Sequence, residues 1–216
     1  MSAIHEERMC RFRDAGLYLV TSQPLSAGRS TLDIVRAALA GGVRLIQLRE
    51  KEMPAREYVT LAQRVREMTA QAGCLLIIND RVDVALAVGA DGVHLGQDDF
   101  PVPAARRLGP DLIIGASTHT VEEAARAQAE GASYINIGPI YPTGTKVWEG
   151  EFLGLEGLRT IAAATHVPFT VMGGIKASHI PGLMAAGARI IALVTAVTAA
   201  PDPQAATYSL LAAIRP

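Results

Sequence analysis

The sequence predicts a single-domain α/β protein with the (β/α)8 TIM barrel fold. Eight short runs of apolar, β-favouring residues alternate with amphipathic segments along the chain. The repeat averages roughly 25 residues, enough for one strand and a three-turn helix. Runs that are apolar throughout are typical of parallel strands covered on both faces. An open, doubly wound sheet shows the same alternation and is the alternative.

The strands are predicted, in chain order, at LYLVT, VRLIQL, CLLIIN, GVHL, LIIGA, SYINI, PFTVM and RIIAL. Helical patterns such as TLDIVRAALAGG, PAREYVTLAQRVREMTAQAG and VEEAARAQAEGA lie between them. Several of these end in Gly, the usual C-terminal stop of a helix. We expect one domain over residues 1–216, in which residues 1–16 form an additional helix or an arm.

Composition narrows the class of protein and its partners. Half of the residues are hydrophobic, 5% are aromatic, and the formal net charge is -1. The net charge gives no sign of a nucleic-acid or membrane partner. The charged N-terminus does not resemble a signal peptide, and Cys10 and Cys74 form no CxxC pair, so we expect a cytoplasmic protein. The sequence does not determine the oligomeric state.

Candidate ligand groups follow seven of the eight predicted strands. In barrels of this kind the active site lies at the carboxyl ends of the strands, so these groups are expected to converge. Strand starts carry packing residues such as GG and GA instead. The groups are Gln47–Lys51, Asn79–Arg81, His94–Asp99, Ser117, Gly138–Lys146, Gly173–Gly174 and Val194–Thr195.

The pair Gly173–Gly174 indicates an anion site. Two glycines stand where a strand ends and a helix is about to begin, which lets backbone amides approach a phosphate closely. Val194 and Thr195 supply further amides after the eighth strand, and these two loops are the usual phosphate site of such barrels. A tight turn with a glycine cap is the alternative.

Asp80 and Asp99 follow adjacent strands, and together they could bind Mg²⁺ with water and ligand oxygens. Arg49, Lys51 and Lys146 add three cations, a combination that suits a diphosphate. Asn79 and Ser117 are neutral groups for orienting a ligand. The alternatives are that Asp80 only caps the following helix or forms a structural ion pair with Arg49.

Other chemistry is not indicated by the motifs. His94 and His119 have no partners at zinc spacing, and His94 is expected to lie in or near the core. Neither a nucleophile elbow nor a GxGxxG or Walker loop is present in the sequence. Trp148 is expected in a loop over the barrel mouth.

The motifs YLVT, QLREK, INDRVDVALAVGADGVHLGQDD, GAST, INIGPIYPTGTK, GLEGL and GGI occur in this order. The chain resembles the thiamine-phosphate synthase family from about Leu17 to Ala196. The resemblance implies the (β/α)8 fold and a transferase that joins 4-amino-2-methyl-5-hydroxymethylpyrimidine diphosphate to a thiazole phosphate. The implied products are thiamine phosphate and diphosphate.

The resemblance also implies roles for individual residues. It implies that Asp80 and Asp99 bind one Mg²⁺ per subunit, and that Arg49, Lys51, Ser117 and Lys146 act in catalysis. The pyrimidine diphosphate would be held by Gln47, Leu48, Arg49, Glu50, Lys51, Asn79, Ser117 and Lys146. The thiazole phosphate would be held by Thr143, Gly144, Thr145, Gly174, Val194 and Thr195.

Three departures from the family pattern are visible. VWEGEF follows TGTK, MGGI replaces IGGI, and Thr195 stands where Ser is common. A thiazole tautomerase of the same barrel type and a non-catalytic regulator that binds thiamine phosphates are the rival functions. The tautomerase would lack the diphosphate and metal sites that Arg49, Lys51, Asp80 and Asp99 indicate here.

Overall fold

The computed structural model describes residues 2–145 and 149–214, and it confirms a single closed barrel of eight parallel strands. Closure is visible where the last strand pairs with the first, in a register that places Leu19 beside Leu193. This pairing rules out the open, doubly wound sheet. The strands are β1 Leu17–Val20, β2 Leu45–Leu48, β3 Leu75–Asn79, β4 Gly92–Leu95, β5 Ile113–Thr118, β6 Tyr134–Ile137, β7 Phe169–Val171 and β8 Ile190–Leu193.

Helices surround the barrel and connect consecutive strands. Their bounds are α1 Ala3–Arg13, α2 Thr31–Ala40, α3 Ala55–Gln71, α4 Val82–Val88, α5 Val102–Leu108, α6 Val121–Ala129, α7 Gly154–Ala163, α8 Ile180–Ala185, α9 Thr195–Thr198 and α10 Pro203–Ile214. Two short 3-10 helices span Gln23–Leu25 and Ala177–His179. Apolar residues on the outer side of the strands pack against these helices in one continuous core.

The first helix covers the amino end of the barrel. Ser2 caps α1 by accepting a hydrogen bond from the His5 amide. Phe12 is fully buried, and its ring centroid lies 4.4 Å from that of Tyr134 inside the barrel. Residues 1–16 therefore contribute a helix that packs below the strands, rather than a loose arm.

Charged groups at the amino end form structural contacts. Asp91, just before β4, pairs with Arg66 of α3 at 2.8 Å and with Arg8 of α1 at 3.4 Å. Its carboxylate also accepts a hydrogen bond from the Leu76 amide. Such contacts hold helices against the barrel at the end opposite the expected site.

The lengths and polarities of the helices bear on membrane insertion. Among the described residues, every helix is too short or too polar to cross a bilayer. Cys10 is exposed and Cys74 is buried, and both are free thiols.

Candidate active site

A cavity of about 530 Å³ opens at the carboxyl ends of the strands. It brings together most of the residues predicted from the strand ends, although they come from seven different segments of the chain. The strand-end residues that line it are Gln47, Arg49, Lys51, Asn79, Asp80, His94, Gly96, Asp99, Ser117, Gly138, Pro139, Pro142, Thr143, Gly144, Thr145, Gly173, Gly174, Val194 and Thr195.

One side of the cavity carries carboxylates beside a cation. Asp80 adopts a left-handed backbone with φ 61°, a conformation that Asp tolerates better than most residues. Lys51 Nζ lies 3.4 Å from Asp80 Oδ2, so the ion pair forms with Lys51 and not with Arg49. The N-cap position of α4 belongs to Arg81, which leaves Asp80 to face the cavity instead of capping that helix.

Burial raises the pKa of Asp80, and a hydrogen bond with the Asp99 carboxyl raises it further, while Lys51 opposes both effects. Two acidic groups in such contact repel one another when both are ionised, and a divalent cation would relieve that repulsion. Asp99 also accepts a hydrogen bond from the Gly96 amide at 2.7 Å, which orients its carboxylate.

The donor set suits Mg²⁺ if other oxygens complete the shell. Within residues 2–145 and 149–214 there is no cluster of three or more His, Cys, Asp or Glu side chains able to hold a metal. Hard cations such as Mg²⁺ commonly keep several waters and bind through one or two carboxylates together with phosphate oxygens of the ligand. Asp80 and Asp99 fit that pattern.

The opposite side of the cavity is built from glycines and a loop. Gly173 and Gly174 have φ values of 103° and 61°. The β6 loop, defined here as residues 138–145, is attached to this turn, because the amides of Ile140 and Tyr141 donate to the carbonyls of Met172 and Gly173. A Cβ atom on Gly174 would lie 2.2 Å from the Pro142 carbonyl oxygen. Gly174 is therefore required for close packing against the loop, in addition to any approach of an anion.

The β6 loop and α9 present small polar groups on the same side. Thr143 Oγ1 accepts a hydrogen bond from the Thr145 amide at 3.2 Å and lies 3.2 Å from Thr145 Oγ1. Val194 precedes α9, whose first amides have no partner within a helix. This glycine, threonine and amide side of the cavity has the chemistry of a phosphate site.

A buried chain of hydrogen bonds connects the two walls of the barrel below the cavity. Gln47 Nε2 donates to Tyr18 Oη at 2.8 Å, and Tyr18 Oη lies 2.9 Å from Tyr134 Oη. Tyr134 Oη lies 2.9 Å from His94 Nδ1, and His94 Nε2 lies 3.0 Å from Ser117 Oγ. Burial lowers the pKa of His94 to about 4, so the imidazole is uncharged at neutral pH. His94 is buried, as predicted, but it also lines the cavity itself, next to Ser117.

Leu48 and Glu50 do not line the cavity, although the resemblance implies that the whole segment Gln47–Lys51 holds ligand, chiefly through Arg49 and Lys51. Leu48 is fully buried in the outer core. Glu50 accepts hydrogen bonds from the Thr21 and Thr31 hydroxyls and from the Gln23 amide. Side chains alternate along a strand and its extension, so Gln47, Arg49 and Lys51 point inward while the two between them point outward.

Several cavity residues were missed by the sequence reasoning. Asn136, His119, Met172 and Lys176 all line the cavity. Asn136 shares the inward face of β6 with Tyr134, and strand alternation was a signal that identifies it. Lys176 follows the Gly173–Gly174 turn, where a cation beside a phosphate site is chemically expected. Lys146 and Trp148 lie outside the described residues.

Comparisons with known proteins agree on one family. The family model described as thiamine monophosphate synthase matches residues 17–197. The thiamine-phosphate synthase of Moorella thermoacetica is 50% identical over 195 residues, covering 90% of this chain and 93% of the relative. That of Haloquadratum walsbyi is 50% identical over 196 residues, covering 89% of this chain and 88% of the relative.

A solved structure extends the comparison to three dimensions. The thiamine phosphate pyrophosphorylase of Pyrococcus furiosus has a TM-score of 0.86 at 38% identity, covering 94% of this chain and 97% of that one. A 3-hexulose-6-phosphate synthase has a TM-score of 0.67 at 20% identity, covering 91% of this chain and 99% of that one, which shows a shared fold only.

Proposed function

Because this chain belongs to the thiamine monophosphate synthase family, we propose that it condenses a pyrimidine diphosphate with a thiazole phosphate. The substrates would be 4-amino-2-methyl-5-(diphosphooxymethyl)pyrimidine and 4-methyl-5-(2-phosphooxyethyl)thiazole. The products would be thiamine phosphate and diphosphate. The protein would thus be a transferase of thiamine biosynthesis.

The observation that carries the proposal is that one cavity holds two different anion-binding sides. The first combines Asp80 and Asp99 with Lys51 and Arg49, which suits a diphosphate together with a divalent cation. The second combines Gly174 and the threonines of the β6 loop with the amides before α9, which suits a phosphate monoester. A bisubstrate reaction between a diphosphate and a phosphate needs both sides within reach of one another.

The chemistry proposed is a dissociative substitution. Electron donation from the pyrimidine amino group assists cleavage of the carbon–oxygen bond, whose electron pair leaves with diphosphate. The thiazole nitrogen then attacks the resulting carbocation with its lone pair. A protein nucleophile is not required. The residues are needed to orient the two rings and to stabilise the negative charge that develops on diphosphate.

Mg²⁺, one ion per subunit, would be held by Asp80 and Asp99 and would supply neutralising charge at the diphosphate oxygens. Arg49 and Lys51 place cations on the same side of the cavity. Ser117 supplies a hydroxyl near the pyrimidine, and Asn79 supplies an amide that can accept or donate. A catalytic role for Lys146 stays a prediction from the sequence.

A product assay tests the proposal. Purified full chain is incubated with both substrates and Mg²⁺, and thiamine phosphate and diphosphate are quantified. Formation of both in equal amounts is the expected result. Isomerisation of a thiazole phosphate tautomer without pyrimidine consumption would assign the chain to the tautomerase instead. Tight binding of thiamine phosphate without turnover would assign it to a regulator.

A further inference from the structure

We propose that Tyr18, Tyr134 and His94 are positioning residues that fix the hydrogen-bond polarity of the cavity, making Gln47 an acceptor and Ser117 a donor toward the ligand. Burial alone does not indicate such a role, since buried tyrosines commonly serve packing. Their placement in an unbroken chain between two cavity residues is what distinguishes them.

The direction of the chain is determined at Gln47. Its Nε2 atom can only donate, so Tyr18 Oη accepts there. Tyr18 is 1% exposed, and among the described residues Tyr134 Oη is its only other hydrogen-bond partner. Leaving a buried hydroxyl proton without an acceptor is costly, so Tyr18 donates to Tyr134.

The same reasoning carries the direction across the barrel. Tyr134 is fully buried and already accepts from Tyr18, so its proton goes to His94 Nδ1. An imidazole that accepts at Nδ1 carries its proton at Nε2, which then donates to Ser117 Oγ. Ser117 lines the cavity, and its own hydroxyl proton is left to donate into it.

With the Gln47 amide oriented as in the structure, the alternative direction fails at its other end. It would need that amide turned over, with Oε1 accepting from Tyr18. If Ser117 donated to His94 Nε2, then Nδ1 would donate to Tyr134, and Tyr134 would donate to Tyr18. Tyr18 would accept from two donors, and its buried proton would have no recorded partner among the described residues.

The polarity has a consequence for recognition. Gln47 donates one amide proton to Tyr18, so its carbonyl oxygen is the polar atom that this network leaves for the ligand, while Ser117 presents a proton. A ligand with N–H donors at one position and a lone-pair acceptor at another matches this pair, and an aminopyrimidine has both groups. The ligand's identity rests on the proposed function, whereas the direction of the chain does not.

The direction of these hydrogen bonds is tested first in the full-length protein without ligand. ¹⁵N NMR of the histidine side chains at pH 7, with His94→Gln used for assignment, should show the His94 proton on Nε2. In Tyr134→Phe the donor to Nδ1 is gone, and a mixture of the two tautomers is expected. A proton on Nδ1 in the native protein, or an unchanged single tautomer in Tyr134→Phe, would overturn the inference.

Calorimetric titration tests the consequence for recognition. Tyr134→Phe should weaken pyrimidine diphosphate binding about tenfold, equivalent to about 1.4 kcal/mol, and change thiazole phosphate binding by less than about twofold. Thr207→Val is the control, because it removes a buried hydroxyl that donates to the Pro203 carbonyl within α10, outside the cavity lining. Equal losses for both ligands, or the same loss in Thr207→Val, would refute the positioning role. Absence of turnover in the native protein would refute the proposed function but leave the NMR result standing.

Discussion

Gly174→Ala tests whether the turn after β7 holds the phosphate side of the cavity in place. The added Cβ would lie 2.2 Å from the Pro142 oxygen and 2.7 Å from the Tyr141 oxygen, where ordinary contact begins at 3.4 Å. The carbonyl of Pro142 must therefore retreat by about 1 Å, and it carries Thr143–Thr145 with it. Displacements of this size at a binding group can cost up to about a hundredfold in rate.

The expected loss of stability has two parts. A left-handed backbone costs a residue with Cβ about 1–2 kcal/mol, and overpacking adds about 1–3 kcal/mol. Gly89→Ala separates them, since Gly89 has nearly the same φ of 64° but no atom within 4 Å of an added Cβ. We expect Gly89→Ala to lose about 1 kcal/mol and Gly174→Ala about 3 kcal/mol.

Urea unfolding at pH 7 measures these free energies, and titration of each substrate measures the effect on binding. Gly174→Ala should weaken thiazole phosphate binding more than about tenfold and pyrimidine diphosphate binding less than about threefold. The reasoning would be refuted by a Gly174→Ala protein as stable as Gly89→Ala, or by equal losses for the two substrates.

Four further predictions concern the metal and the charged groups of the site. Excess chelator should abolish turnover, and Mg²⁺ should restore it. Because the folded-state pKa of Asp80 is raised, folding favours its protonated form, and stability falls as pH rises from the unfolded to the folded pKa. Asp80→Asn avoids that loss, so its urea midpoint at pH 7 without metal should exceed that of the native protein, although turnover is lost; a lower midpoint contradicts the repulsion. Lys176→Ala should weaken thiazole phosphate binding about fivefold at low salt, because it removes a cation from the cavity lining. Arg159→Ala removes an exposed cation elsewhere and should have little effect; equal losses in the two variants would mean that Lys176 acts only through long-range charge. Lys146→Ala should slow single-turnover cleavage about a hundredfold while thiazole phosphate affinity is kept, and the reverse pattern would assign the lysine to the other substrate.

Stability and function place opposite demands on the carboxyl end of the barrel. Asp80 combines a left-handed backbone with a carboxyl whose pKa burial and Asp99 both raise. Strain of this kind is tolerated where the surrounding structure determines the conformation, as the hydrogen bond from the Asp80 amide to the His94 carbonyl does here. At the amino end, Asp91 forms two ion pairs and carries no comparable strain.

Much of the site could be predicted from local pattern. Strand ends are marked by a change from apolar to polar residues, and a parallel barrel must gather those ends on one side. The sequence therefore predicts that Asp80, Asp99 and Ser117 lie together. Within Gln47–Lys51, which the resemblance implies acts chiefly through Arg49 and Lys51, the structure directs the Leu48 and Glu50 side chains away from the cavity. Because side chains alternate along the chain, Arg49 points into the cavity. Glu50 points outward and accepts hydrogen bonds from the segment after β1 and from the start of α2.

Local pattern is enough to locate the strands, to predict a site at their carboxyl ends and to indicate the family, because apolar periodicity and short motifs are local properties. Three features emerge only in the folded protein: β8 closes on β1, α1 packs under the barrel, and Gly174 is needed for close packing against the Pro142 carbonyl as well as for any approach of an anion. Likewise, the series of hydrogen bonds from Gln47 to Ser117 joins five residues from five strands. Contacts between residues distant in sequence depend on where strand pairing places each side chain, and no local pattern encodes that placement.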